Sequence, residues 1–226
     1  MPKAKGSVTR PTKATADPVG KPSRTIANSK ASHLYTDDNP ETTLHGTGFK
    51  DGATAQRTIE LVSKRSLTYQ FQTINTMLHR ARGHPHKSAN MMDAMVILQD
   101  WVDSYRPRKA SLRTFKLISR DTVERYLKRA EEHNEAQEGT SETIDVEFAR
   151  MYTSLAPKKR LANTLVDSTR PGEQDWEVRR YEALCALVPE DHEMEGELWL
   201  EMGSGKEPSV LHLKWIMWGY SPVKKL

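Results

Sequence analysis

The side chains most able to hold an anion lie in one short stretch, residues 78–87. Three histidines and three arginine or lysine residues occur there, namely His79, Arg80, Arg82, His84, His86 and Lys87. Imidazole is a common metal ligand, but structural zinc takes four ligands, usually with thiolates, and the single cysteine, Cys185, is distant. We therefore predict no metal and no cofactor, and interpret the stretch as a surface for phosphate groups. The alternative is a charged face that contacts only solvent.

A second basic group follows the third predicted helix and extends this candidate surface. It comprises Arg106, Arg108 and Lys109, with Arg113 and Lys116 shortly after them. Base-specific recognition would require an exposed helix that enters a groove of the nucleic acid, and none of the predicted helices has that character. The expected contacts are therefore with the phosphates of DNA or RNA, with low sequence specificity.

Two glycine-containing segments lack the spacing of nucleotide-binding loops. To match a P-loop, Gly203-Ser204-Gly205-Lys206 would need a glycine at the position of Leu200, and Glu207 replaces the hydroxyl residue that binds magnesium. Gly46-Thr47-Gly48 precedes a predicted helix, whose N-terminus offers N–H groups to a phosphate. Its spacing differs from a dinucleotide fingerprint, so a turn that positions Phe49 is the preferred interpretation.

The spacing of residues identifies no catalytic site. A histidine without a nucleophile and an orienting carboxylate is weak support for hydrolytic chemistry. An enzyme built from distant positions stays an alternative, since Glu60, His79, Asp93 and Asp100 all lie in the N-terminal helical region. The preferred expectation is a non-enzymatic binding protein.

Charge is distributed unevenly along the 226 residues, whose formal net charge is +4. Residues 1–32 contain seven basic residues and one acidic residue, residues 33–130 contain 16 and 10, and residues 131–226 contain 11 and 19. A basic N-terminal part followed by an acidic C-terminal part indicates an arm that binds polyanions, attached to another unit. The candidate contacts in the arm are Lys13, Lys21, Arg24 and Lys30.

The composition of residues 1–32 predicts a disordered arm, because four prolines accompany only three large aliphatic side chains. One cysteine excludes an internal disulfide, and no stretch approaches the roughly 18–20 apolar residues of a membrane-spanning helix. A soluble protein without a membrane partner is therefore expected, in the nucleus or the cytoplasm. The nucleus is favoured because residues 157–160, Pro-Lys-Lys-Arg, are similar to a short import signal.

Apolar spacing predicts a mainly α-helical fold. Three helices between residues 44 and 106 carry apolar side chains three and four positions apart, and the third should stop before Pro107. That third helix is apolar around most of its circumference, so we expect it to be central. With a fourth helix at residues 120–137, these elements form a small bundle, which defines a helical module at residues 33–130.

The remaining sequence predicts a second small, mainly helical unit at residues 144–226. A polar, acidic linker, residues 131–143, separates it from the first module. Three helical stripes precede the final segment. Near the C-terminus we consider a short β-hairpin or a strand followed by a helix, and a helix is favoured for residues 209–218.

Three functional hypotheses follow from these features. The first is a nuclear protein that holds DNA or RNA through phosphates, with an acidic C-terminal unit that contacts another protein or competes for the arm. The second is a helical adaptor that binds proteins in apolar grooves without nucleic acid. The third is an enzyme with a site between the two units. A structural role, as in a virion, is a further alternative.

Overall fold

The fold of the described residues is mainly α-helical, with a short antiparallel β-hairpin near the C-terminus, as the sequence predicts. The computed structural model describes residues 44–137, 143–190, 198–202 and 205–223. The predicted arm, with its candidate contacts, lies outside the described residues. Those contacts are Lys13, Lys21, Arg24 and Lys30.

Seven α-helices, one 3-10 turn and two strands make up the described part of the chain. In order they are α1 Gly52–Val62, α2 Leu67–Gly83, α3 Ala89–Ala110, α4 Arg120–Ala136, α5 Glu147–Ser154, the 3-10 turn Leu161–Asn163, α6 Trp176–Leu187, β1 Trp199–Met202, β2 Gly205–Pro208 and α7 Val210–Met217. The strands pair with Trp199 opposite Pro208. The hairpin and the helix predicted at residues 209–218 are therefore both present.

The first four helices begin at residues that cap them. A carboxylate or hydroxyl oxygen accepts an N–H of the first turn, which would otherwise have no partner in the helix. The oxygen–nitrogen distances are 2.8 to 3.4 Å, and the capping residues are Asp51, Ser66, Ser88 and Ser119. Capping is local in sequence, so the start of each of these helices depends on residues within one turn of it.

The predicted end of the third helix is wrong, because α3 continues through Pro107 to Ala110. Proline removes one N–H and its ring displaces the carbonyl four positions earlier, which here belongs to Asp103. Asp103 is exposed, so water can bind that carbonyl in place of the missing donor. Regular bonding resumes where the N–H of Ser111 donates to the carbonyl of Pro107 at 3.1 Å.

Helix α3 packs against both α1 and α2, as expected for a central helix, but part of its apolar surface is exposed. Its residues Ala94 and Leu98 are buried against α1 and α2. On another side, Met92 and Val96 are 50% and 59% exposed. These two side chains lie one helical turn apart, so they form a small apolar patch that faces solvent.

The buried apolar side chains of the described residues form two clusters. The first lies among α1, α2 and α3, around Ile74, Leu78 and Leu98. The second is built on Phe148, whose ring stacks on Tyr152 and Trp218 with centroids 5.5 and 5.6 Å away. Stacked and edge-on aromatic pairs of this kind add to the stability that burial alone provides.

Helix α4 packs with the C-terminal residues. Its buried Val123 and Ala130 belong to the second cluster, and the described residues from 44 onward fall within one compact unit. The helix runs on to Ala136, so the beginning of the predicted linker at residues 131–143 is helical. The limits of independently folding units, placed from the sequence at residues 33–130 and 144–226, stay a prediction.

A buried ion pair connects the turn between α1 and α2 to the start of α6. Arg65 Nε lies 3.2 Å from Asp175 Oδ2, and both side chains are at most 3% exposed. The guanidinium also donates to the carbonyls of Pro171 and Ala162, each at 2.9 Å. The same Asp175 oxygen accepts the N–H of Ser66 at 2.8 Å, while the other caps α6. Every strong polar group of this pair is thus satisfied, as a buried charge requires.

Replacing Asp175→Ala should lower the free energy of unfolding by about 3–5 kcal/mol, because it leaves the Arg65 guanidinium buried without its counter-ion. Urea unfolding measures this loss. The control is Glu173→Ala, which breaks the exposed pair with Lys64 and should change stability little. Equal effects of the two substitutions would contradict the structural role assigned to the buried pair.

His212 is a buried histidine, and both of its ring nitrogens have hydrogen-bond partners. Its buried Nδ1 lies 3.2 Å from the carbonyl oxygen of Leu198 and its Nε2 lies 2.9 Å from the hydroxyl of Ser221. The Nδ1–H tautomer satisfies both partners, since the Nε2 atom then accepts from Ser221. Burial lowers the pKa of His212, although the Leu198 carbonyl acts in the opposite direction.

The stability that neutral His212 supplies should therefore be lost as the pH falls from about 6.5 towards the lower pKa of the folded state. The unfolded chain takes up the proton at higher pH than the folded chain, so protonation favours unfolding. Thermal unfolding between pH 7 and pH 5 measures this effect. A His212→Gln variant should show a flatter pH dependence than the wild type, and parallel curves would refute the assignment.

Candidate functional site

A cleft of about 940 Å³ is lined by α2, α3, α6 and the segments that follow α3 and α5. Its lining contains eight arginine or lysine residues and two glutamates. The segment that joins α3 to α4, residues 111–119, runs along the cleft and supplies six lining residues, of which Arg113 is the charged one. The cleft therefore carries an excess of positive charge, which favours an anionic ligand.

A second cavity, of about 500 Å³, differs in its electrostatics. Its cations Lys64 and Arg170 both approach Glu173, at 2.8 and 3.5 Å. Asp167 and Glu182 also line it. Since its positive charges are already balanced, this cavity has no comparable attraction for an anion.

Arg180 lies at the base of the large cleft and is 8% exposed. Its Nε donates to the carbonyl of Trp218 at 2.8 Å, and its Nη2 donates to the carbonyls of Phe115 and Gly219 at 3.2 Å. Burial lowers the pKa of this guanidinium to about 10, which leaves it charged at neutral pH. Carbonyl oxygens satisfy its hydrogen bonds without cancelling its charge.

Two further arginines of the cleft are held in the same manner. Arg113 donates to the carbonyls of Val188 and Pro189, at 2.8 and 2.6 Å. Arg120 donates to the carbonyl of Leu155. Guanidinium groups fixed by the main chain keep their positive charge and lose little side-chain entropy when a ligand binds. The cleft thus contains ordered positive charges.

Four more cations stand at the mouth of the cleft and are exposed. Arg108 and Lys109 come from the end of α3, and Lys159 and Arg160 from the segment after α5. None of the ion pairs found among the described residues includes any of these four. Their side chains can therefore reorient to meet a ligand without breaking a salt bridge.

Two acidic side chains, Glu177 and Glu182, also line the cleft. Glu177 is half-buried and accepts a hydrogen bond from the hydroxyl of Thr68 at 2.5 Å. Burial raises the pKa of Glu177, against the opposing effects of Thr68, Lys109 and Arg180. Glu182, which also lines the smaller cavity, accepts from the side-chain amide of Gln174.

The basic residues predicted from the sequence do not form one surface. Arg108 and Lys109 border the cleft, with Arg106 exposed beside them. The other predicted group lies at the opposite end of the α2–α3 hairpin, about 30 Å away along α3 at 1.5 Å per residue. It comprises Arg80, Arg82, His84, His86 and Lys87.

The other side chains that the sequence offers for chemistry do not line the cleft. Within residues 44–137, 143–190, 198–202 and 205–223, no group of three or more His, Cys, Asp and Glu side chains could hold a metal ion. At the N-terminus of α1, which follows the glycines at residues 46–48, the N–H of Thr54 already donates to the carboxylate of Asp51. That N–H is therefore not open to a phosphate. The side chains considered for an enzyme are exposed on the first three helices and lie outside the cleft lining, namely Glu60, His79, Asp93 and Asp100.

Several cations of the cleft share no sequence pattern, because they come from separate parts of the chain. Arg180 carries the clearest sequence signal. It lies four residues after Trp176 and four before Leu184, both buried, so it falls on the apolar face of α6. A cation in an apolar stripe indicates a buried charge that must find polar partners.

The chain matches no protein-family model, no curated protein and no solved structure. None of the helices in the described segments is both long and apolar enough to span a bilayer. The chemistry of the cleft is therefore the basis on which a function is proposed below.

Proposed function

We propose that this protein binds nucleic acid through its phosphates, without catalysis and with low sequence specificity, and that the basic cleft is the binding site. The observation that supports this proposal is the charge of the lining, where seven cations besides Arg65, which pairs with Asp175, stand against two glutamates. Three of the arginines, Arg113, Arg120 and Arg180, bond to carbonyls instead of carboxylates. A phosphodiester would supply the missing negative charge.

The mechanism is electrostatic. Each phosphate that contacts a lysine or arginine releases condensed counterions, so affinity falls as salt concentration rises. The planar guanidiniums suit phosphate oxygens, which accept two parallel hydrogen bonds, whereas Lys109 and Lys159 act as mobile point charges at the mouth. DNA and RNA both carry this charge, and the proposal covers either.

Other parts of the proposal extend beyond the cleft. The arm at residues 1–32 would add phosphate contacts through its lysines and arginines, and the C-terminal unit would contact a protein partner. The nucleus remains the favoured location. Lys159 and Arg160 belong to the import-like sequence at residues 157–160 and are exposed.

Reversing charge at the mouth of the cleft should weaken binding more than reversing it at the other end of the hairpin. The Arg108→Glu, Lys109→Glu variant should lower the affinity for a labelled oligonucleotide at least about tenfold and reduce the slope of log K against log salt by about 1.5. Fluorescence anisotropy at several salt concentrations measures both quantities.

The matched control is the Arg82→Glu, Lys87→Glu variant, which changes the net charge by the same amount. It should retain most of the affinity, because Arg82 and Lys87 do not line the cleft. Equal losses in the two variants would argue against the cleft as the site. Removal of residues 1–32 should reduce the salt dependence further without abolishing binding.

A protein adaptor is the second candidate function, and the exposed pair Met92 and Val96 favours it. Large apolar side chains that face solvent are frequent at protein interfaces. A pull-down from nuclease-treated extract should then retain a partner that the Met92→Asp, Val96→Asp variant loses. Loss of all partners on nuclease treatment would exclude this function in favour of nucleic-acid binding.

A further inference from the structure

The basic cleft also contains exposed apolar side chains. Leu112 and Leu117, both in the segment between α3 and α4, are 40% and 38% exposed and line the cleft. The partly buried rings of Tyr105 and Tyr181 and the side chain of Leu161 contribute to the same lining. A site for bare phosphate would gain nothing from such surface, because apolar groups left in water are unfavourable.

The arrangement of cations and apolar groups points to a ligand with both properties. Arg108 and Lys109 come from the end of α3, whereas Lys159 and Arg160 come from the segment after α5, and Leu112 and Leu117 line the same cleft. From the proposed nucleic-acid function, on which this step rests, we infer that the cleft binds an unpaired strand, with phosphates at the cations and bases against the leucines. Base faces are flat and apolar, so they contact such surfaces without sequence preference.

A duplex fits these features less well. Its bases are stacked inside, so only its phosphates and groove edges would meet Leu112 and Leu117. The cleft volume of about 940 Å³ also lies within the range of pockets that enclose ligands of small-molecule size. The five residue steps from Leu112 to Leu117 span at most about 17 Å, the length of a few nucleotides. The cleft therefore suits a short unpaired segment.

The test compares a mixed-sequence 12-nucleotide single strand with a duplex of the same sequence, by anisotropy with the full chain at several salt concentrations. We expect the single strand to bind about tenfold more tightly than the duplex. The Leu112→Ser, Leu117→Ser variant should lose most of this preference while its affinity for the duplex stays close to that of the wild type.

The control variant is Met92→Ser, Val96→Ser, which removes two exposed apolar side chains of α3 that do not line the cleft. It should keep the preference for the single strand. Thermal unfolding monitored by circular dichroism verifies that both variants fold. We expect both to fold because the replaced side chains are exposed.

The possible outcomes separate this inference from the proposed function. Equal affinity for single strand and duplex, unchanged in the leucine variant, would overturn the inference but leave phosphate binding intact. No binding of either oligonucleotide at low salt would overturn both. Displacement of the strand by polyglutamate at equal charge concentration would also overturn the inference of an unpaired strand, because an acidic peptide would then be an equivalent ligand.

Discussion

The buried pair of Arg65 and Asp175 is the constraint on which the cleft depends. Asp175 both neutralises Arg65 and caps α6, so one carboxylate fixes the turn after α1 and the start of a helix 110 residues later. Because Thr68 and Glu177 lie just beyond these two points and bond to each other, the same contact sets the distance between two sides of the cleft. A buried pair gives modest net stability, but it permits little variation in geometry.

The arginines of the cleft combine a structural and an electrostatic role. Arg180 ties the segment after α3 to the turn after α7 through the carbonyls of Phe115, Trp218 and Gly219. Gly219 adopts a φ of +67°, and a side chain there would approach Leu117 within 2.8 Å, so the close turn requires glycine. Because carbonyl dipoles satisfy the guanidinium without removing its charge, folding itself leaves positive potential in the cleft.

The sequence predicts the helices well because their signals are local. Spacings of three and four and a capping oxygen act within a few residues, which suffices for α1, α2 and α4. The predicted end of α3 before Pro107 is wrong, because an exposed last helical turn tolerates the loss of the hydrogen bond that proline removes. The cleft is harder to predict, since Arg113 meets the carbonyl of Val188 across 75 residues and no sequence pattern records that proximity. Arg180, on an apolar helix face, is the exception that the pattern does indicate.

The linear distribution of charge also differs from its distribution in space. Residues 131–226 are acidic in sum, yet they supply Lys159, Arg160 and Arg180 to the cleft. Several of their carboxylates form pairs elsewhere, with Glu131, Glu147 and Glu207 bound to Arg150, Arg179 and Arg129, none of which lines the cleft. Acids already bound to arginines outside the cleft do not reduce its potential. Residues 131–226 therefore supply three cations of the cleft as well as both of its glutamates, although their total charge is acidic.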